Sequence, residues 1–328
     1  MDSTVENFVE IHSICDSNYY VPSAIQLVEN LNEFAIGLLS VGSILSILTF
    51  YLAVDTCHNV LSQKDSRFFK SNVIMIMSVY PVASVCSFTA IAIPRGQLLS
   101  EAVTQMFLTT ALYRLYHLLL DVGRRKINET PTLILRVGPC CCWPCLPFPD
   151  VRMTDSHLSW LKILILQLPI VQGLLFCIFL FMAAENTTLA DQYMIYFQPI
   201  MVTSILLGIY SLTVATKTLH KVAPEAKLHF KTLVLQLVLL FSKLQLGIIR
   251  SLSSLFPCNP PISPAVYANV TFNALMLLEM LLLCYVARRI YYVDLDKNQE
   301  SDAATDQTRT STDNSANGAN KQLPSTIA

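Results

Sequence analysis

Charge is scarce in this chain: 14% of its 328 residues are Asp, Glu, Lys or Arg, against 53% hydrophobic, with a net charge of −1. Soluble domains usually carry about 25% charged residues. A mean hydropathy of +0.49 therefore points to lipid as the solvent for most of the chain. Basic residues are absent from the first 33 positions, which hold Asp2, Glu6, Glu10, Asp16, Glu29 and Glu33. That segment lacks the basic start and early apolar stretch of a cleavable signal peptide, so the first long apolar run is expected to target the chain itself. There is no GxxxxGK[ST] loop, no HExxH and no ligand spacing among the six histidines. A nucleotide-driven pump and a zinc-site protease are thereby disfavoured, and neither an enzyme, a cofactor nor a nucleic-acid partner is indicated. No internal repeat is visible, so an inverted-repeat transporter is not indicated.

What the chain has is apolar length. Runs at 34–54, 72–94, 100–121, 161–183, 193–214, 230–250 and 266–286 can each cross a hydrocarbon core of about 30 Å as a helix. Lys and Arg sort between the connections: three in 55–71, five in 122–160, four in 217–231 and five after 287. The positive-inside rule then predicts an all-α integral membrane protein of seven transmembrane helices, N-terminus outside and C-terminus cytosolic. The third run is the least hydrophobic, yet removing it would put basic loops on opposite sides. The expected organisation is an extracellular segment 1–33, a membrane domain 34–292 and a cytosolic tail 293–328. Beyond Asp296 that tail has only Leu323 and Ile327 as large aliphatic residues, too little to order itself.

Ten cysteines divide between compartments on this topology, so they form no single disulfide framework. Cys15 and Cys258 fall outside and are a candidate bridge, or two free thiols. Asn186, followed by Thr187-Thr188 on the outer side, is a glycosylation acceptor, whereas the Asn128 sequon faces the cytosol. The cytosolic loop 138–149 carries Cys140, Cys141, Cys142 and Cys145 around Trp143 and Pro144. Three consecutive cysteines do not suit one tetrahedral metal centre, and the nearest histidine in sequence is His157, so no metal is predicted. Beside a membrane interface they are candidates for S-palmitoylation or a plain thiol cluster.

Polar residues inside spans are costly, so each is either a functional candidate or helix-to-helix glue. In the third run Glu101, Gln105, Thr109, Tyr113, His117 and Asp121 recur every four residues, a stripe that winds round the helix and predicts a central position for it. Arg114 and Glu279 both fall about 20 Å below the outer ends of their spans, which predicts an ion pair, with Lys243 as an alternative partner for Glu279. Gln236 and Lys243, seven apart, are expected to share a face, and Gln245 to point elsewhere. Seven spans also describe a receptor, but the third span ends Asp121-Val122-Gly123 without Asp-Arg-Tyr and the seventh lacks Asn-Pro-x-x-Tyr.

These landmarks together resemble one family. Asn18-Tyr19 with Val21-Pro22-Ser23-Ala24, Ile93-Pro94-Arg95 with Glu101, and Thr130-Pro131 before Gly138-Pro139-Cys140 stand in the first half. Phe230 with Gln236 and Gln245, Cys258 before Pro260-Pro261, and Leu278-Glu279 before Tyr291-Tyr292 stand in the second. The chain resembles the alpha subunit of the heteromeric organic solute transporter over nearly all its length except the tail. It departs in a cysteine run interrupted by Trp143 and in Leu246, where the family pattern has proline. The resemblance implies facilitated diffusion of bile acids, conjugated steroids and similar amphipathic organic anions across the plasma membrane. It also implies a single-pass beta-type partner, with membrane lipid as surroundings and a homo-oligomer left open. The candidate substrate-binding set is Glu101, Arg114, Gln236, Lys243, Gln245 and Glu279, with Arg250 a further cation. A seven-helix receptor or membrane scaffold without transport is the alternative.

Overall fold

A backbone in hydrocarbon finds no water to bond, so long apolar runs become helices that satisfy their own N–H and C=O groups. The computed structural model of the chain describes residues 33–63, 66–126, 132–133, 151–152, 154–222, 228–252, 255–256 and 263–291. Among them are nine α-helices: α1 (Glu33–Ser62), α2 (Arg67–Met77), α3 (Val79–Ala92), α4 (Gln97–Lys126), α5 (Asp155–Glu185), α6 (Thr187–Val222), α7 (Leu228–Leu240), α8 (Leu246–Ser251) and α9 (Pro264–Tyr291). α2 and α3 meet at Ser78, and α7 continues into α8 through a π-helical turn, Phe241–Gln245, so these helices form seven rods. The break at Ser78 has a local cause. Pro81 has no N–H for the carbonyl four residues back, and its ring crowds that carbonyl, which belongs to Met77, the last residue of α2.

Six of the rods are long and apolar enough to cross a membrane: Ile36–Ser62, Arg67–Ala92, Ser156–Glu185, Gln192–Lys221, Leu228–Ser251 and Pro264–Tyr291. The expected third span is the 30-residue helix α4, whose polar stripe keeps it out of that group. The chain is thus an all-α membrane protein in which six of the seven expected apolar spans are met by composition. The helices also outrun the expected spans, and the outer loop expected at 184–192 is replaced by a one-residue joint, Asn186, between α5 and α6. One exception to helix is a two-residue antiparallel ladder that sets β1 (Thr132–Leu133) against β2 (Val151–Arg152).

The predicted central place of the third rod holds. α4 packs against α2, α3, α5, α6 and α7, and its Leu108, Ala111, Leu112, Leu115, Tyr116, Leu118 and Leu119 are buried. Between helices in lipid there is little hydrophobic drive, so close van der Waals approach and hydrogen bonds hold the rods. Gly42 fits against Phe88 and Leu277, Gly123 against Leu219, and Gly208 against Leu168, each where a Cβ would stand within 3.3 Å of a neighbour. Tyr116 donates to the Leu158 carbonyl at 2.8 Å and Ser211 to the Leu161 carbonyl at 2.7 Å. Thr216 and Thr232 share a hydrogen bond of 2.9 Å between α6 and α7.

The perimeter is apolar. On α1 alone Ile44, Ile47, Tyr51 and Val54 are each at least half exposed, a face that water would reject and lipid accepts. The ends of the bundle are polar. At one, Arg288 on α9 pairs with Asp55 on α1 at 2.5 Å, and the Lys231 ammonium of α7 lies 5.2 Å from the centre of the Tyr291 ring and 6.0 Å from that of Phe69. Four rods are tied there by contacts that basic residues make.

Candidate functional site

The opposite end of the bundle holds a polar cluster built around Glu101. It begins at Pro94, which opens a short 3-10 turn, Pro94–Gly96, and delivers the chain into α4 at Gln97. Glu101 follows on the second turn. Its side chain is only 9% exposed, so a carboxylate there needs cations, and it has two. Lys243 Nζ stands 3.6 Å from Oε1 and Arg250 Nη2 3.4 Å from Oε2. The side chains of Lys243 and Arg250 are 22% and 37% exposed, so the joint is neither sealed nor open. With two cations on one carboxylate, the site has a surplus positive charge.

The π-helical turn presents Lys243. Phe241–Gln245 holds an extra residue per turn, which shifts the face seen by everything beyond it. Lys243 Nζ consequently lies 5.2 Å from the centre of the Phe176 ring of α5, within cation–π range. Arg250 Nη1 reaches the Met194 sulfur of α6 at 3.8 Å. One cluster therefore joins α4, α5, α6 and the rod of α7 and α8. The sequence made Lys243 and Gln236 share a face, but they serve different neighbours. Gln236 Nε2 donates to Thr213 Oγ1 on α6 at 3.2 Å.

Beside Glu101 is a small cleft of ≈ 20 Å³, room for about one water-sized group, whose wall includes Gln97, Ser100, Glu101, Thr104 and Gln105 of α4, Ser242 of the π turn, Cys86 and Ser87 of α3, and Phe272, Asn273 and Met276 of α9. Asn273 Nδ2 donates to Gln97 Oε1 at 2.7 Å and to the Asn269 carbonyl at 2.7 Å, closing the side toward α9. Gln105 Nε2 donates to Ser242 Oγ at 3.3 Å. Sequence reasoning did not single out Ser242, Asn273, Gln97 or Phe176. The rule that any polar residue within a span is a candidate would have found Asn273 and Ser242, whereas Phe176 looks like every other aromatic facing a core.

The predicted ion pair of Arg114 with Glu279 does not form. Arg114 is exposed, Glu279 has no cation partner among the described residues, and its Oε2 is buried without a hydrogen-bond partner. Equal depth was the wrong criterion, because two residues at one height pair only when they also face each other round their helices. The alternative pairing of Lys243 with Glu279 fails likewise, since Lys243 turns to Glu101. Of the six candidate substrate residues, Glu101 and Lys243 come together, and Gln236, Gln245, Glu279 and Arg114 stand outside that pair. Asn186 is exposed at the joint of α5 and α6. Cys15, Cys258, Cys140, Cys141, Cys142 and Cys145 lie outside the described residues. No group of side chains that could hold a metal occurs among the described residues.

Comparison with known proteins places this architecture. The profile of the organic solute transporter Ostalpha family matches residues 38–295. An organic solute transporter alpha-like protein of Drosophila melanogaster is 27% identical over 82% of this chain and 84% of its own length. Proteins named organic solute transporter subunit alpha match from Danio rerio, at 22% identity over 82% of this chain and 86% of the relative, and from Bos taurus, at 25% over 86% and 85%. The matched stretch takes in all but the first turn of the helical bundle and the whole Glu101 cluster, and the chain belongs to the organic solute transporter Ostalpha family of multi-pass membrane proteins.

Proposed function

We propose that this subunit carries amphipathic organic anions, such as bile acids and conjugated steroids, across the plasma membrane by facilitated diffusion. The observation that carries the reading is the charge count at Glu101: Lys243 and Arg250 outnumber the one carboxylate. A carboxylate or sulfate entering beside them completes the balance, at a point where partial burial strengthens the attraction. Phe272 and Met276 on the wall of the adjoining cleft give the place where the anionic group would sit an apolar edge beside its cations.

Downhill movement fits the rest of the bundle. Ion-coupled uphill transport ordinarily uses clusters of acids in the deep interior, and Glu279 at mid-span makes no ion pair among the described residues. The proposed topology has seven crossings, N-terminus outside, with most of α4 enclosed by its neighbours. It puts the Glu101 cluster near the outer face, Asn186 where a glycan is added, and the Cys140–Cys145 loop against the inner leaflet for acylation. Cys15 and Cys258 then share the outer compartment. The relatives from Danio rerio and Bos taurus are named as alpha subunits, which supports a partner, and we assign it the single-pass beta type.

Uptake of a radiolabelled sulfated steroid is the test, in cells expressing the chain alone and with a single-pass partner, with surface abundance measured in both. Saturable, ATP-independent uptake is expected. Absent uptake at normal surface abundance with the partner present would turn the reading toward a receptor or scaffold.

A further inference from the structure

The hydrogen bonds around Gln105 leave one atom without a partner, and its chemistry can be worked out. Ser242 has a single hydroxyl proton, donated to the Leu239 carbonyl at 3.0 Å. Toward Gln105 it then accepts. The Gln105 amide turns its Nε2 to Ser242, which leaves Oε1 on the other side. Gln105 Oε1 is buried with no hydrogen-bond partner, in a residue 2% exposed, on the wall of the cavity beside Glu101. An acceptor stranded in a low-dielectric interior costs free energy until a donor arrives.

Neighbouring groups do not fill the need. Both Asn273 amide protons are committed, to Gln97 and to the Asn269 carbonyl. Thr109 gives its proton to the Gln105 backbone carbonyl at 2.8 Å. A cation is a poor occupant, because Lys243 and Arg250 already crowd Glu101 one helical turn away, about 6 Å along the axis. The remaining class is a neutral donor.

We infer that this cavity binds an uncharged hydrogen-bond donor carried by the solute, a hydroxyl group, with Gln105 Oε1 as its acceptor. The inference rests on the transport reading above and deepens it. The cations beside Glu101 attract any amphipathic anion, while Gln105, one turn along α4, selects those that also bear a hydroxyl. Gln105 is then a specificity-determining residue and Lys243 a general one.

The test uses two steroid sulfates that differ by one ring hydroxyl, with the apparent KM of each measured on the full chain, with its partner, and on a Gln105→Met variant that keeps the side-chain length. Wild-type protein should favour the hydroxylated compound by about 3- to 10-fold, the range of one neutral hydrogen bond, and Gln105→Met should abolish that preference, bringing the ratio of the two KM values to about one. Equal KM values in wild type, or a preference that survives in the variant, would overturn the inference and leave the cavity to water.

A second measurement covers loss of flux or failure of the variant to reach the surface. Cys86 is a free thiol on the cavity wall. Its alkylation in wild-type protein, read by mass spectrometry of its peptide, should be slowed more by the hydroxylated sulfate than by the deoxy one. Equal reactivity would overturn the site. If neither compound moves in wild type, the transport reading fails separately, and Cys86 protection alone decides the site.

Discussion

Replacing Lys243 by Gln keeps a donor for Glu101 and much of the stem packed on Phe176, and removes one positive charge. The cluster then holds Arg250 against Glu101 and its surplus falls from one unit to none. A unit charge 4 Å from an anion is worth about 1 kcal/mol in water and about 4 at an effective dielectric of 20. Lys243 and Arg250 are 22% and 37% exposed, which puts the site between these limits, at about 2 kcal/mol or roughly 30-fold in apparent affinity. Lys243→Gln should therefore raise the apparent KM for a sulfated steroid by that order, with surface abundance unchanged. Glu101→Gln makes the opposite change, doubling the surplus, and should lower the apparent KM even though it weakens the joint between rods. The assay is concentration-dependent initial uptake corrected for surface protein. An unchanged KM in Lys243→Gln, or shifts in the same direction for both variants, would refute the charge argument.

Three further expectations concern the scaffold. Gly208→Ala puts a Cβ 2.2 Å from Leu168 Cδ1, and Leu168 is fully buried, so overpacking should cost about 1–3 kcal/mol and lower the thermal midpoint in detergent; Gly37→Ala, with nothing within 4 Å, should be silent. A double-mutant cycle on Arg288 and Asp55, whose side chains are 32% and 34% exposed, should return a coupling of about 0.5–1 kcal/mol in thermal stability, as partly solvated pairs do. Asn186→Gln should remove a glycosidase-sensitive mobility shift that altering Asn128 leaves in place; a shift that depends on Asn128 would reverse the proposed topology.

The rods were legible because length and hydropathy are one-dimensional properties: six runs read from the sequence are six apolar helices. The polar stripe of α4 was informative for the same reason. Side chains that lipid would reject must face protein, and Gln105 and Thr109 are indeed buried. Pairing was harder. It depends on rotation about each axis, and the π turn at Phe241–Gln245 adds a residue that no proline or glycine within it announces. Lys243 reads from the sequence as an alternative partner for Glu279, yet its flexible stem carries the ammonium to Glu101. Arg250 could be named as a cation from the sequence, but its choice of Glu101 could not, because the partners are 149 residues apart.

Facilitated movement of an organic anion is the central claim. Its most direct test is flux in proteoliposomes holding the purified chain and a single-pass partner, with a sulfated-steroid gradient imposed first inward and then outward, no ATP, and no ion gradient. Saturable flux in both directions that stops when the concentrations equalise, and needs a higher solute concentration in Lys243→Gln, is the predicted result. Accumulation against the gradient, or no flux from correctly folded protein, would contradict it.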